Sequence, residues 1–392
     1  MTFEEIKKKE ESCLMPCYAR YPVALVSGRN ATAWDAAGKE YVDFTSGIGV
    51  NSLGFSDPKW AAAVAAQAAK LQHCSNLFYS PVQIRAAEKL CALSGMAKVF
   101  FCNSGAEANE CAVKLARRYG ETALGPGRTE IVTLENSFHG RTVTTLAATG
   151  QAQFHSDFLP LTQGFRYAQP TLDGVRAQVT EKTCAVLVEP VQGEGGVVPL
   201  GGEFLHGLRE LCDRRRILMM ADEVQTGVGR TGAFYCCQKY GVQPDVLTSA
   251  KGLAGGLPMG ACLCAAPLGG LLGRGMHGST FGGNPVACAG ALAVMERVGA
   301  PAFLRKVREK GEYFARALKK MPGVALVRGA GLMLGAKPEA AAPGAIAARC
   351  AENGLLILTA KDVLRLLPPL TVTKEEADRG LAILADALRS FQ

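Results

Sequence analysis

Five short apolar runs, each followed by polar or glycine-rich residues, constrain the fold of this chain more than any other feature. The runs are KVFF ahead of Asn103, EIVTL before Glu135, CAVLV before Glu189, ILMMA before Asp222 and DVLTSA before Lys251. Longer amphipathic segments separate them, and this alternation is typical of an α/β protein with a largely parallel sheet. Ligands bind outside the carboxyl ends of the strands in such sheets, so the runs predict one site that gathers a lysine and carboxylates.

The two ends of the chain carry different patterns. Residues 20–50 predict a β-meander with a turn at Asp35–Gly38, and apolar residues recur at helical spacing after Pro285. The stretch KPEAAAPGAIAA (337–348) predicts a surface loop that leads into a helix. We therefore predict an α/β fold with a large domain at 51–290, whose central sheet is mostly parallel. Residues 1–50 and 291–392 are expected to form a smaller α+β domain.

Composition narrows the class of protein. The 392 residues carry a formal net charge of +8, without the aromatic-interleaved basic run that is typical of nucleic-acid binding. The N-terminus, MTFEEIKKKEES, has no hydrophobic region, and no apolar stretch is long enough to span a bilayer. The 14 cysteines lack Cys-x-x-Cys pairs, which favours reduced thiols over disulfides or a metal site. We expect a cytoplasmic protein that binds a small anionic substrate, and neither nucleic acid, membrane nor metal.

A helix start follows the first apolar run. Ser104 and Glu107 have the spacing of a capping box, and Gly120 is expected to end the helix. Gly105 and Ala106 leave the first-turn amides uncovered, so this helix N-terminus could bind an anion. The alternative is a well-capped helix without a ligand.

A second glycine motif, GVGRTG (227–232), competes with this site. It matches the dinucleotide-binding fingerprint and raises the alternative of an NAD-dependent dehydrogenase. However, Asp222 and Glu223 separate it from the preceding strand, and AFYCCQKYG allows two helical turns at most. The context is therefore wrong for a dinucleotide site.

The predicted site gathers the groups that pyridoxal 5′-phosphate needs from a protein. These are a Schiff-base lysine, an acidic partner for the pyridinium nitrogen and a phosphate site. Lys251, Asp222 and the turn at Ser104–Ala106 can supply them. His139 is expected to structure its loop, because Lys251 can already move the proton.

At these residues the chain resembles the class III (ω-amino) aminotransferases of pyridoxal-phosphate fold type I, nearly from end to end. The motifs that carry the resemblance are YARYP (18–22), DFTSGIGVNSLG (43–54), NSGAEANE (103–110), SFHGRT (137–142), EPVQGEGG (189–196), ADEVQTGVGRTG (221–232), AKGLAGGLPMGA (250–261), HGSTFGGNPVACA (277–289) and LRLLPPLTVT (364–373). The family usually has Gly-His where this chain has Gly54-Phe55, and the alanine-rich 337–348 stretch is short. Both differences could alter substrate access.

The resemblance implies which residues bind the cofactor. Asp222 would pair with the ring nitrogen, Lys251 would carry the covalent aldimine, and Thr280 would reach the phosphate of the neighbouring subunit in a homodimer. Phe138 and Val224 would cover the two faces of the ring. The full set is Ser104, Gly105, Ala106, Phe138, Asp222, Val224, Gln225, Lys251 and Thr280.

The resemblance also implies the reaction and the substrate contacts. It favours transfer of the δ-amino group of N2-acetyl-L-ornithine to 2-oxoglutarate, in arginine biosynthesis. Succinylornithine, succinyldiaminopimelate, acetyllysine, ornithine and 4-aminobutyrate are alternative donors, and a catalytically silent binding protein is a further alternative. Tyr18, Arg141 and Ser279 would contact the substrate. Glu189 is expected to pair with Arg365 while the donor is bound, and to release Arg365 for the α-carboxylate of 2-oxoglutarate.

Overall fold

The computed structural model describes residues 1–392. The helices are α1 (Phe3–Cys13), α2 (Ser46–Gly49), α3 (Pro58–Lys70), α4 (Pro81–Ser94), α5 (Gly105–Tyr119), α6 (Val143–Ala148), α7 (Leu172–Gln178), α8 (Gly201–Arg215), α9 (Cys236–Lys239), α10 (Pro285–Val298), α11 (Pro301–Lys319), α12 (Pro343–Glu352) and α13 (Lys374–Arg389). No single helix has the length and apolar composition to cross a membrane, although α10 and α11 pass that test as a pair bent by 73°.

The strands form three larger sheets and one two-stranded ribbon. They are β1 (Leu25–Arg29), β2 (Thr32–Asp35), β3 (Glu40–Asp43), β4 (Lys98–Cys102), β5 (Glu130–Leu134), β6 (Phe165–Ala168), β7 (Thr183–Val188), β8 (Val191–Gln192), β9 (Val198–Pro199), β10 (Leu218–Asp222), β11 (Val246–Ser249), β12 (Gly260–Cys264), β13 (Val324–Ala330), β14 (Met333–Pro338), β15 (Leu355–Leu356), β16 (Leu358–Ala360) and β17 (Val363–Leu366).

The central sheet has seven strands in the order β4-β12-β11-β10-β7-β5-β6. All five predicted strands lie in it, and β12 is the one strand that runs antiparallel to its neighbours. Every residue of β7 and β10 is buried, because helices cover both faces of the sheet. The prediction of a mostly parallel α/β sheet is confirmed.

The two chain ends meet in the smaller sheets. The predicted meander is present as antiparallel β1, β2 and β3, and β15 joins β3 in parallel. A second sheet, in the order β13-β14-β17-β16, consists entirely of C-terminal residues. We retain as a proposal the division into residues 51–290 and a smaller domain from 1–50 and 291–392. The boundary at 290 falls inside α10.

Two local expectations need adjustment. After Tyr119 the chain continues through a π-helical turn to Leu124, so Gly120 ends the α-helix without ending the helical path. The expected loop at 337–348 is shorter, because β14 extends to Pro338 and α12 begins at Pro343.

All 14 cysteines are free.

The GVGRTG segment forms a buried turn rather than a nucleotide-binding loop. Arg230 within it is fully buried and donates to the backbone carbonyls of Leu332 (3.0 Å) and Pro368 (2.5 Å). Only the four-residue α9 follows. This motif therefore joins the central sheet to the C-terminal residues, and the dehydrogenase alternative loses its structural basis.

Candidate active site

The carboxyl ends of the five predicted strands open onto one cavity of about 420 Å³. Asn103 follows β4, Phe138 follows β5 and Glu189 follows β7, while Asp222 ends β10 and Lys251 follows β11. All five line the cavity. The sheet gathers them because β4, β5, β7, β10 and β11 point the same way, as the spacing of the runs predicted.

Lys251 is constrained by its backbone and by burial. Its φ of 45° lies in the left-handed region that residues with a side chain rarely occupy, and such strain often marks a functional position. Burial disfavours the ammonium form and lowers the pKa of Lys251 to about 8, although the Glu194 carboxylate opposes this shift. Lys251 therefore has a much larger neutral fraction near neutral pH than a surface lysine.

Asp222 is held by a set of buried hydrogen bonds. Its Oδ2 accepts from Asn109 Nδ2 at 2.7 Å and lies 2.8 Å from His139 Nδ1, and its Oδ1 accepts from the Val224 amide at 3.0 Å. Thr248 Oγ1 fixes Asn109 in turn, at 2.7 Å. Together these contacts fix the orientation of the carboxylate, and they place His139 behind it, as expected for a structuring histidine.

The N-terminus of α5 also lines the cavity, through Ser104, Gly105 and Ala106. Ser104 caps the helix by accepting from the Glu107 amide at 3.2 Å. The expected capping box is only half formed, because the Glu107 carboxylate accepts from the Asn103 amide at 2.5 Å instead of from Ser104. A Cβ at Gly105 would lie 2.7 Å from Val224 Cγ1. Only glycine thus lets Val224 and the first-turn amides line the same space.

The structure contradicts the predicted pairing of Glu189 with Arg365. Glu189 is buried, with Oε2 accepting from the Phe138 amide at 2.9 Å and Oε1 from the Gly193 amide at 3.2 Å. Burial raises the pKa of Glu189 to about 7, with a further rise from nearby Asp222 and an opposing effect of His139. Because both oxygens are engaged by loop amides, Glu189 joins two loops rather than holding an arginine.

Arg365 pairs with Glu194, a residue that sequence reasoning missed. Its Nη1 lies 2.5 Å from Glu194 Oε1 and 3.2 Å from Gln225 Oε1. Burial alone would raise the pKa of Glu194, but the Arg365 guanidinium outweighs this and the pKa lies below its ordinary value. The one signal in the sequence is that Glu194 belongs to the same EPVQGEGG motif as Glu189, and this does not tell which of the two carboxylates faces Arg365.

Arg141 lines the cavity without an acidic partner. Its guanidinium lies 4.1 Å from the ring centroid of Phe154 and 5.3 Å from that of Phe138, and it takes part in no salt bridge. The aromatic rings stabilise the cation without neutralising it. Arg141 is therefore free to bind a carboxylate from a ligand.

Four expected site residues do not line this cavity: Tyr18, Ser279, Thr280 and Arg365. Tyr18 is 74% exposed and lines a separate groove with Tyr21 and Ile357. Ser279 Oγ accepts from Asn103 Nδ2 at 3.2 Å, one residue behind the cavity wall, and Thr280 lies beside Asn76. Phe55 packs over Gly28 and forms a β-bridge with Asn30. Neither Phe55 nor any residue of the 337–348 stretch lines the cavity.

The residues present fit a pyridine ring that carries a phosphate. The α5 N-terminus offers uncovered amides, Phe138 and Val224 flank the space, and Asp222 and Lys251 both face it. Gln225 lines the same cavity and is fixed by Arg365.

Comparison with known proteins agrees with this geometry. A family model described as aminotransferase class-III matches residues 16–388. An acetylornithine aminotransferase of Haemophilus ducreyi is 46% identical over 391 residues, covering 99% of both chains. One from Methanocaldococcus jannaschii is 45% identical over 375 residues, covering 94% of both.

Solved structures show the same fold. An ornithine aminotransferase from Toxoplasma gondii superposes with a TM-score of 0.95 at 30% identity, covering 100% of this chain and 96% of that one. An N-acetylornithine aminotransferase from Stenotrophomonas maltophilia gives a TM-score of 0.84 at 35% identity, with 98% of each chain covered. The chain therefore has the pyridoxal-phosphate transferase fold type I and belongs to the class-III aminotransferase family.

Proposed function

We propose that this chain transfers the δ-amino group of N2-acetyl-L-ornithine to 2-oxoglutarate, with pyridoxal 5′-phosphate as cofactor. The products are N-acetyl-L-glutamate 5-semialdehyde and L-glutamate, in a step of arginine biosynthesis in the cytoplasm. The observation that carries the proposal is the placement of half-buried Lys251 and buried Asp222 in one cavity with a helix N-terminus. Acetylornithine aminotransferases at about 45% identity support the choice of donor.

When bound, the cofactor supplies an electron sink for the carbanion that forms as a proton leaves the substrate. In the proposed arrangement, Ser104, Gly105 and Ala106 hold its phosphate at the start of α5. The fixed carboxylate of Asp222 keeps the ring nitrogen protonated, because a buried anion stabilises a neighbouring cation. Lys251 Nζ would hold the cofactor covalently and would carry the proton that leaves the substrate.

Three more cavity residues orient the ring. Phe138 and Val224 would cover its faces, and Gln225 would contact its phenolic oxygen. Glu189 acts on this set through the backbone, because its carboxylate holds the Phe138 amide. It is thus proposed as a positioning residue and not as the gate predicted from the sequence.

The substrate contacts follow from the two arginines. Arg141 has no acidic partner and binds the carboxylate distant from the reacting carbon in both half-reactions. Arg365 is neutralised by Glu194 while the donor's apolar chain lies beside it, since an unpaired buried charge there would be costly. When 2-oxoglutarate binds, its α-carboxylate takes the place of Glu194 on Arg365. Tyr18 and Ser279 remain proposed substrate contacts in the assembled enzyme.

A homodimer is part of this proposal. Leu77, Phe78 and Tyr79 are 88%, 68% and 98% exposed, which is unusual for three consecutive large apolar side chains. Asn76 anchors this apolar loop to the backbone of Ser279 (3.0 Å) and Gly282 (2.9 Å). A second copy that covers the loop therefore lies next to Thr280, the residue proposed to reach the phosphate of the neighbouring subunit.

A donor panel with 2-oxoglutarate as acceptor tests the proposed function. Acetylornithine is expected to give the highest kcat/KM among the acylated and free ω-amino donors, because the relatives that are about 45% identical to this chain are acetylornithine aminotransferases. Ornithine deserves a place in the panel, since ornithine aminotransferases share the fold. A higher kcat/KM for 4-aminobutyrate or ornithine would overturn the proposed donor. The purified enzyme should have a visible absorption band that borohydride reduction removes, and a colourless protein would overturn the proposed cofactor.

A further inference from the structure

Two arginines of the C-terminal sheet share one rung. Arg328 on β13 pairs with Gly335 on β14, and Gly335 pairs with Arg365 on β17. Residues on one rung point to the same face of a sheet, and two strand spacings put these arginines about 10 Å apart. The sheet therefore presents both guanidinium groups to whatever covers this face.

The loop at 193–197 covers it. Gly335 leaves the space between the arginines open, and a Cβ there would lie 3.1 Å from Val197 Cβ. Val197 thus rests on the middle of the rung. Because the loop contains Gly193, Gly195 and Gly196, its backbone has little intrinsic preference for one conformation.

The two arginines hold the loop at both ends. Arg365 Nη1 lies 2.5 Å from Glu194 Oε1, and Arg328 Nε donates to the Gly196 carbonyl at 2.6 Å. Gly196 has a φ of 105°, and a Cβ there would lie 2.6 Å from Arg328 Nη2. The close approach of Arg328 to this backbone therefore requires glycine at 196.

Asp362 fixes Arg328 from the other side. Its Oδ1 accepts from Arg328 Nη2 at 2.7 Å, and its Oδ2 lies 3.2 Å from Lys337 Nζ. Arg328 contacts both Asp362 and the loop, whereas Lys337 pairs only with Asp362. Replacing Lys337 is consequently a matched control. Asp362 then loses one of its two cations, but Arg328 keeps its contact with the loop.

We propose that Arg328 is a positioning residue that holds Glu194 against Arg365 and so sets the preference for an ω-amino donor over glutamate. This inference rests on the proposed exchange of Glu194 for the substrate α-carboxylate. Without Arg328, the glycine-rich loop gains freedom and Glu194 leaves Arg365 more readily. Glutamate, whose α-carboxylate needs Arg365, then competes better as the first amino donor.

The test compares acetylornithine with L-glutamate as the amino donor to the holoenzyme, by single-turnover spectra. Arg328→Ala is expected to lower the ratio of their kcat/KM values by about three- to tenfold, near the low end of the coupling between contacting residues. Lys337→Ala should leave the ratio at the value of the unmodified enzyme. Arg328→Met, which keeps the aliphatic stem, replaces Arg328→Ala if that variant folds poorly, as judged by Tm and bound cofactor.

A double variant separates the two proposals. Glu194→Gln should lower the same ratio, and Arg328→Ala should add nothing further in that background, because the loop then has no carboxylate to position. If Glu194→Gln alone leaves the ratio unchanged, the proposed exchange at Arg365 is wrong. The role of Arg328 is wrong if Glu194→Gln lowers the ratio while Arg328→Ala and Arg328→Met behave like Lys337→Ala. It is also wrong if the effects of the Arg328 variants add fully to the effect of Glu194→Gln.

Discussion

At the residue scale, Lys251 combines strain, burial and position in a way that a structural lysine does not need. Lys310 is a useful contrast, because burial also lowers its pKa to about 8, yet its Nζ only donates to the Leu370 carbonyl. Lys251→Ala is expected to lower transamination by at least about 10³-fold, since it removes the group that links the cofactor and moves the proton. Lys310→Ala is the matched control, and steady-state turnover is the measurement. Turnover retained by Lys251→Ala contradicts the assignment.

The pKa of Lys251 gives a pH prediction for the cofactor-free enzyme. Only the neutral amine can attack the cofactor aldehyde, and its fraction rises as pH increases through the pKa. Because burial lowers this pKa to about 8 from an ordinary 10.5, reconstitution should reach half of its maximal rate near pH 8. The rate of cofactor uptake across about pH 6 to 10 measures this.

Glu194 supplies an internal control for that profile. Its negative charge raises the pKa of Lys251, so Glu194→Gln should move the midpoint to lower pH. A midpoint that stays near the ordinary lysine value in both proteins would show that Lys251 is not buried as described.

Arg365→Ala tests the proposed acceptor contact. It should strongly lower the rate of the half-reaction with 2-oxoglutarate. The rate of the half-reaction with the donor should change little, because the donor has no carboxylate next to its reacting carbon. Single-turnover spectra of each half-reaction measure the two effects separately. Equal losses in both halves would rule out a selective role for Arg365.

The residues of the site were not equally predictable. Asn103, Glu189, Asp222 and Lys251 lie at the ends of strands or just after them, so the local pattern was enough to place them at one rim. The partner of Arg365 could not be found that way, because Glu189 and Glu194 lie five positions apart in one motif. Which of them faces Arg365 depends on how the glycine-rich loop turns and on contacts with β13, which sequence spacing does not describe.

At the scale of elements, the turn from β4 into α5 shows how packing limits the cofactor site. The Ser104 cap ends the strand, and Gly105 lets Val224 approach the first turn of the helix. A methyl group at 105 would clash with Val224 at 2.7 Å, and relief of such overpacking costs about 1–3 kcal/mol. Gly105→Ala should therefore weaken cofactor binding, measured as the Kd of pyridoxal phosphate for the cofactor-free enzyme.

A second helix start provides the control. Gly344 lies in the first turn of α12, and a Cβ there would meet no atom within 4 Å. Gly344→Ala should leave the cofactor Kd unchanged. Equal Kd values for the two variants would show that the start of α5 does not contact the cofactor.

The elements themselves were largely predictable, and the exceptions have a physical reason. The five strands, the meander and the helix after Pro285 follow from local periodicity. Strand β12 escaped prediction because GACLC in GACLCAAPLGG lacks alternation and is buried throughout between β4 and β11. Its antiparallel direction depends on tertiary pairing, which no local pattern encodes.

At the scale of the whole molecule, the exposed apolar loop Leu77–Tyr79 and the position of Thr280 both bear on whether one chain forms a complete active site. A single chain leaves these side chains in water, and it also leaves Thr280 outside its own cavity. Neither feature was interpretable from the sequence without the family resemblance, because both concern a surface that one chain does not complete. The proposed second copy would account for both.

Phe78→Asp tests this assembly. A carboxylate in the centre of the apolar loop should convert the dimer into monomers in sedimentation, since burying an unpaired charge costs more than the interface contact returns. Transamination should fall with the dimer fraction, because each cavity would lose the partner's Thr280. Leu326→Asp is the control, as Leu326 is 46% exposed on β13 and far along the chain from this loop. Full activity in a monomeric Phe78→Asp protein would show that one chain forms a complete site, and an unchanged dimer would place the interface elsewhere.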